Sequence, residues 1–474
     1  MSPERARSLA CLGLLTSLAA AGCSDPRELP IRVLLPEEHA DYELADNASL
    51  VFLPSGDVFS FGVDGTEFSL ELEGEPSGSP QQMQLYLASG QELIAWGQTS
   101  VFATANPDLG LSLFLGRPGR LSTWPERIED PDPSLLAAHS TGRGMILVES
   151  SGATFLLNEY TLEIEAGESL DPDHAALDAD GALNGGLYGA ASGEVVRVLF
   201  EGDEPARAWR FDPGLDSWSA VALDAATVDG LSQREGAATL LSEDRETLWL
   251  FGGGERTDVA SLDLDSFALS LHPEWTLDHP RPDATALWLG DADALLVGGG
   301  DPESAGPPPA VAFRVAEGAA NGSTLEPWLR PGCALIRDPF HAEPESAEAS
   351  ESARALCLGG LSAGEPSSLG VILDLGTTDE PSSSLQTTPD FLPAAIGDPI
   401  LLADEQALYA QGAGRWFVID RETETLSEGD SPTLRGQGGH SVPLATGATF
   451  LVGGVDTEGV ALDRWEVFTP TVEP

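Results

Sequence analysis

The chain has 474 residues, and its 52 Gly and 35 Pro favour many tight turns over long helices. It carries 77 Asp and Glu against 23 basic residues, every one of them Arg, for a formal net charge of −54. A surface this negative repels phosphate backbones and anionic lipid headgroups, which argues against nucleic acid as a partner. Salt screens the self-repulsion over about 8 Å under physiological conditions, so a saline or extracellular setting suits the fold.

In chain order, the first element is an address. "MSPERARSLACLGLLTSLAAAGCSD" opens with Arg5 and Arg7, continues with an apolar run from Leu9 to Ala21, and ends in small residues before Cys23. The run falls short of the about 20 residues that span a bilayer. Residues 1–22 therefore read as a secretory signal. Ala20-Ala21-Gly22-Cys23 resembles the lipobox of bacterial lipoproteins, although Ala20 stands where that family usually has Leu. The resemblance implies that Cys23 is diacylated and becomes the new N-terminus. Ser24 resembles outer-membrane sorting, so it implies a cell-envelope protein, periplasmic or surface-exposed, held to the membrane by lipid alone. The alternative is an ordinary signal cut near Ala21, with Cys23 a spare thiol. Residues 23–47 then form a lipidated, acidic tether, in which "IRVLL" is apolar enough for a strand.

From residue 48 to 474 the chain repeats one grammar: a strand, a tight turn, a second strand often ending in Gly, then one or two more strands. Units begin near Ala48, Met83, Ser134, Ala182, Gly236, Ala284, Gly332, Ala394 and Gly438, spaced 35 to 62 residues apart. A period near 50 with about four strands per unit predicts an all-β chain, a β-propeller of seven or eight antiparallel blades. A blade cannot bury both its apolar faces alone, and a closed ring buries both. Strands from the two chain ends are expected to mix in one blade. A sandwich pair and a β-helix are the competing architectures. Neither suits the period, because β-helix rungs are shorter.

Gly252-Gly253, Gly298-Gly299, Gly359-Gly360 and Gly453-Gly454 each follow an apolar strand, and Phe211 precedes Trp218 in "RFDPGLDSWSAV". These features resemble kelch repeats, most clearly over residues 182–468. No single unit carries the whole motif. A glycine pair can take positive φ and admit neighbouring backbone.

Residues 338–353, "DPFHAEPESAEASESA", form an acidic insertion expected to be mobile. It splits the unit holding Cys333 and Cys357. Aligned on the last unit, Cys333 falls at His440 and Cys357 at Leu451, about two residues from opposite on adjacent strands. That predicts a disulfide at the base of the insertion; two buried thiols are the alternative.

Catalytic signatures are sparse. The seven His show no metal-binding spacing, although His272 and His279 flank one turn. Asp178 to Gly185, "DADGALNG" with its neighbours, has a calcium-loop flavour but lacks the first Asp and last Glu of an EF-hand. An acidic turn fits it better. No phosphate loop is possible without Lys. No catalytic residue, metal or cofactor is assigned, and carboxylate pairs for glycoside chemistry stay open. The expected function is a monomeric, non-catalytic binding or scaffold module for protein or polysaccharide. The alternative is a glycan hydrolase or lyase on the same ring.

Overall fold

The computed structural model describes residues 27–38, 40–63, 70–74, 78–103, 110–126, 135–141, 144–149, 152–170, 185–200, 205–277, 279–288, 293–300, 311–314, 318–319, 328–337, 353–362, 365–376, 381–388, 390–430, 433 and 435–472. Cys23, the signal segment, residues 178–184 and the insertion over residues 338–352 lie outside the described residues.

A strand lies inside the stretch read as a tether. Strand Arg27–Leu34 pairs antiparallel with Leu70–Gly74 and parallel with Leu111–Phe114. A second sheet has the order Asp57–Gly62, Asn47–Leu53, Gln82–Ser89, Glu92–Gln98. The units read as starting near Ala48 and Met83 therefore share one sheet. Ile31, Leu111 and Leu113 of the first sheet and Leu50, Leu85 and Leu87 of the second bury in one core with Tyr42. The alternating burial of Gln82–Ser89, with Met83, Leu85 and Leu87 inside, is what a sheet with one covered face dictates.

Beyond residue 119, seven four-stranded antiparallel sheets follow among the described residues. We letter them A to G by their first strands: Leu135–Ser140, Gly185–Gly189, Ala238–Leu241, Ala284–Trp288, Gly332–Arg337, Ile400–Ala403 and His440–Pro443. In A to F the four strands come in sequence order. Sheet G is composite: His440–Pro443, Thr449–Val452 and Glu466–Thr469 are completed by Arg120–Thr123, from far upstream. The chain is thus all-β, apart from short helical turns such as Ala225–Leu231. That helix starts where the Asp224 side chain caps the Thr227 amide.

First strands lie side by side in the orders G–A–B and C–D–E–F–G. B and C meet where the Tyr188 hydroxyl donates to Thr239 Oγ1 at 3.3 Å. Every junction holds its own apolar cluster. Val195 and Leu199 of B pack with Ile146 and Val148 of A, while Val196 and Val198 face Leu248 and Leu250 of C. Phe251 and Val259 of C meet Ala294 and Leu296 of D. Val442, Phe450 and Val467 of G meet Met145 and Leu147 of A. The second strands are therefore covered on both faces, which explains their apolar runs such as "MILV" and "LWLF".

All eight repeat glycines adopt left-handed φ, from +60° at Gly252 to +91° at Gly253. Gly298 is the tightest: at φ +73°, an added Cβ would lie 2.1 Å from the Trp328 carbonyl oxygen. Gly298→Ala is expected to cost at least about 2 kcal/mol, since left-handed φ alone costs about 1–2 kcal/mol for a residue with a Cβ. Urea denaturation measures it, and a loss below half that figure would contradict the contact.

Cys333 and Cys357 form a disulfide, with Cα atoms 4.1 Å apart. They face each other directly across the first two strands of sheet E. The counterpart of His440 is Gly332, since each pairs with the residue just before its diglycine. The one-residue shift brings the cysteines into line.

Candidate functional site

The residues that lead into the first strands of sheets C to G gather at one end of those strands: Gly236, Asp283, Arg330, Asp398 and Gly438. The backbones of the first three connect directly. The Asp283 amide donates to the Gly236 carbonyl at 2.8 Å, and the Arg330 amide to the Asp283 carbonyl at 2.9 Å. Gly236 and Gly438 have φ of +64° and +71°, as glycine readily does. Asp283 and Arg330 adopt the same left-handed conformation, at +59° and +50°. Each side chain there is held at a strain of about 1–2 kcal/mol. Such strain concentrates where side chains serve a purpose other than stability.

Arg330 Nε donates to Asp283 Oδ1 at 3.1 Å, with the two side chains 52% and 31% exposed. Asp398 stands beside this pair. Among the described residues, none donates a hydrogen bond to its carboxylate. Burial pushes its pKa upward; the Arg330 and Arg435 guanidiniums oppose that shift and Asp283 reinforces it. Because the folded-state pKa is raised, the stability contribution is full below the unfolded value near 3.9 and is lost as pH rises through the folded value. Asp398→Asn is therefore expected to gain stability over wild type as pH climbs above about 4. Paired thermal melts between pH 4 and 7 read this difference, and parallel curves would contradict it.

Arg435, whose charge acts on Asp398, is 1% exposed. Its Nη1 donates to the carbonyls of Gly438 at 3.1 Å, Val452 at 3.3 Å and Gly453, and its Nε lies 3.5 Å from Glu466 Oε2, also buried. Burial lowers the Arg435 pKa, and Glu466 and Asp398 hold it up. The same arrangement recurs. Arg234 Nη1 donates to the Gly252 carbonyl and Arg281 Nη1 to that of Gly298, both at 3.0 Å. At the diglycine that follows the second strand of sheet E, Trp328 Nε1 takes this role and donates to the Gly359 carbonyl. The diglycines thus turn the chain and also present a carbonyl to a buried donor.

Sequence reading found the glycines and missed their arginines. The signal was present: Arg234, Arg281 and Arg435 precede their first glycine by 18, 17 and 18 residues. The charged cluster carried no such signal, because Asp283, Arg330 and Asp398 belong to different units and share no local motif.

Other candidates have structural places. His272 stacks on Trp275 at 4.4 Å, and its Nε2 lies 2.9 Å from Ser261 Oγ. His139 is largely buried, and burial together with Arg245 lowers its pKa to about 4. His440 opens the first strand of sheet G. His39, His174 and His341 lie outside the described residues. Among the described residues, no three His, Cys, Asp or Glu side chains group as a metal ion would require, and no helix is long and apolar enough to cross a membrane.

No family model matches this chain. No curated protein matches it either. Similar solved structures are distant. One is a novel fungal alcohol oxidase of the AA5 family in complex with copper, at 13% identity and TM-score 0.49, covering 72% of this chain and 75% of its own. Another is YjhT, at 11% identity and TM-score 0.40, over 60% of this chain and 93% of its own. A third is a protein of unknown function from Bacteroides thetaiotaomicron, at 9% identity and TM-score 0.40, over 95% and 100%.

Proposed function

We propose that sheets A to G close into a seven-bladed, kelch-like β-propeller, anchored to the outer membrane through a lipidated Cys23. Its charged mouth binds a polar chain, polysaccharide or protein, without chemistry. In this reading residues 1–22 are the signal, the ring runs from Arg120 to Thr469, and the two sheets of residues 27–114 sit beside it. The protein works as a monomer in the cell envelope and touches the membrane through lipid only.

The ring reading is supported by the neighbour order of the first strands and by composite sheet G, which is how a ring avoids leaving open edges. The binding reading rests on one observation: Asp283 and Arg330 keep side chains at strained positions where neighbouring units place glycine. Together with Asp398 they offer guanidinium donors and carboxylate acceptors side by side. Sugar hydroxyls use both, and the net negative charge disfavours acidic polymers.

The test is a glycan array and envelope-protein pull-down with the purified protein and an Asp283→Ala/Arg330→Ala variant. Losing charge-assisted hydrogen bonds worth about 1.5–3 kcal/mol each should weaken binding at least tenfold. Equal capture by the variant would remove this site from the proposal. The raised pKa of Asp398 favours one second reading, a glycan hydrolase using that carboxyl as its acid. That reading requires released sugar products with wild type and none with Asp398→Asn. For the anchor, Cys23→Ser should abolish partition into the detergent phase, and continued partition would refute lipidation there.

A further inference from the structure

Arg197 sits in Val195–Leu199, the second strand of sheet B, paired with Leu187 on one side and Trp209 on the other. It is 1% exposed. Val195 and Leu199, its neighbours on the same face, pack with Ile146 and Val148 of sheet A. The side chain therefore enters the seam between A and B. There, neither Nη1 nor Nη2 has a hydrogen-bond partner among the described residues.

Other buried guanidiniums are treated differently. Arg234 meets two carbonyls and Asp258 besides the Gly230 carbonyl, and Arg435 meets three carbonyls with Glu466 close by. The chain has more than three acids for every arginine, yet no described acid forms an ion pair with Arg197. Burial pulls its pKa down to about 10, and Tyr188 is the group that opposes this. An uncompensated charge in an apolar seam is strongly unfavourable. A water molecule would supply hydrogen bonds and leave the charge standing.

We propose that the seam between sheets A and B holds a small monovalent anion, a halide such as chloride, on Arg197 Nη1 and Nη2. One guanidinium neutralises one charge. The lining of Ile146, Val148, Leu187, Val195 and Leu199 makes a divalent anion much costlier, because the desolvation penalty grows with the square of the charge. The halide is then an integral counterion of the fold, distinct from the mouth at Asp283 and Arg330.

The experiment replaces gluconate by chloride at constant ionic strength and follows the Tm of the full chain. Constant ionic strength removes the general screening of the negative surface. Wild type should gain about 1–2 °C for each tenfold rise in chloride above its Kd, and Arg197→Met should gain nothing. Arg197→Lys keeps the cation and should retain part of the dependence. Bromide-soaked wild-type crystals should show an anomalous peak beside the guanidinium. A wild-type Tm indifferent to chloride, an equal response in Arg197→Met, or ordered water without a bromide peak would each overturn the proposal. The wild-type arms decide it even if Arg197→Met fails to fold.

Discussion

Arg435→Met is expected to destabilise the protein by about 3–5 kcal/mol, the usual cost of breaking a buried ion pair from one side. The guanidinium serves several neighbours at once. Without it, the carbonyls of Gly438, Val452 and Gly453 lose a donor, and buried Glu466 loses the cation 3.5 Å away. Arg435→Lys should recover only part, since a single ammonium cannot reproduce the planar fork that spans these acceptors. Adding Glu466→Gln to Arg435→Met should restore some stability, because much of the penalty comes from the carboxylate left behind. Urea denaturation of the two single variants and the double variant gives the coupling. A loss below about 1 kcal/mol, the scale of an exposed pair, would mean that Arg435 is not the buried keystone of sheet G.

The second large effect concerns the disulfide. Replacing Cys333 and Cys357 together by Ala is expected to cost about 3 kcal/mol, the chain-entropy value for a loop of this size. The sequence separation is 24 residues, and the two residues face each other across the first two strands of sheet E. Cys357 is fully buried, so Ser in its place would add a desolvated hydroxyl and confuse the measurement. Ala avoids that and leaves only a small void. Denaturation of the double variant beside oxidised wild type measures the difference. Equal midpoints would show that the bridge does not constrain the unfolded chain.

Much of the fold was legible because the strands speak locally. Apolar runs such as "ALLVGGG" and "TFLVGG" are short, β-rich and punctuated by glycine. Their φ values then follow from the one residue type that adopts them freely. The pairing of the first two units was not legible. Asn47–Leu53 and Gln82–Ser89 each start what looks like a separate hairpin, and the same period-2 pattern serves either arrangement. The arginines that reach the diglycines were hidden for another reason. An Arg near a turn reads as a solvated surface charge, and only tertiary packing turns its head inward. The charged cluster was least legible. Asp398 acquires its raised pKa from burial and from Asp283, which belongs to a different unit, and left-handed Asp283 and Arg330 lack the glycine that would have flagged them.

Composite sheet G has a consequence for biosynthesis. Its outer strand, Arg120–Thr123, is made early, while its partner, Glu466–Thr469, lies at the end of the chain. An emerging polypeptide can pair the strands of A to F in order, yet the early strand must wait for nearly the whole chain to appear. A product that stops short of Glu466 leaves that strand's backbone groups exposed, and Arg435 without its acid. In the proposed ring, closure therefore waits on the last strand, and a prematurely terminated chain keeps an open edge.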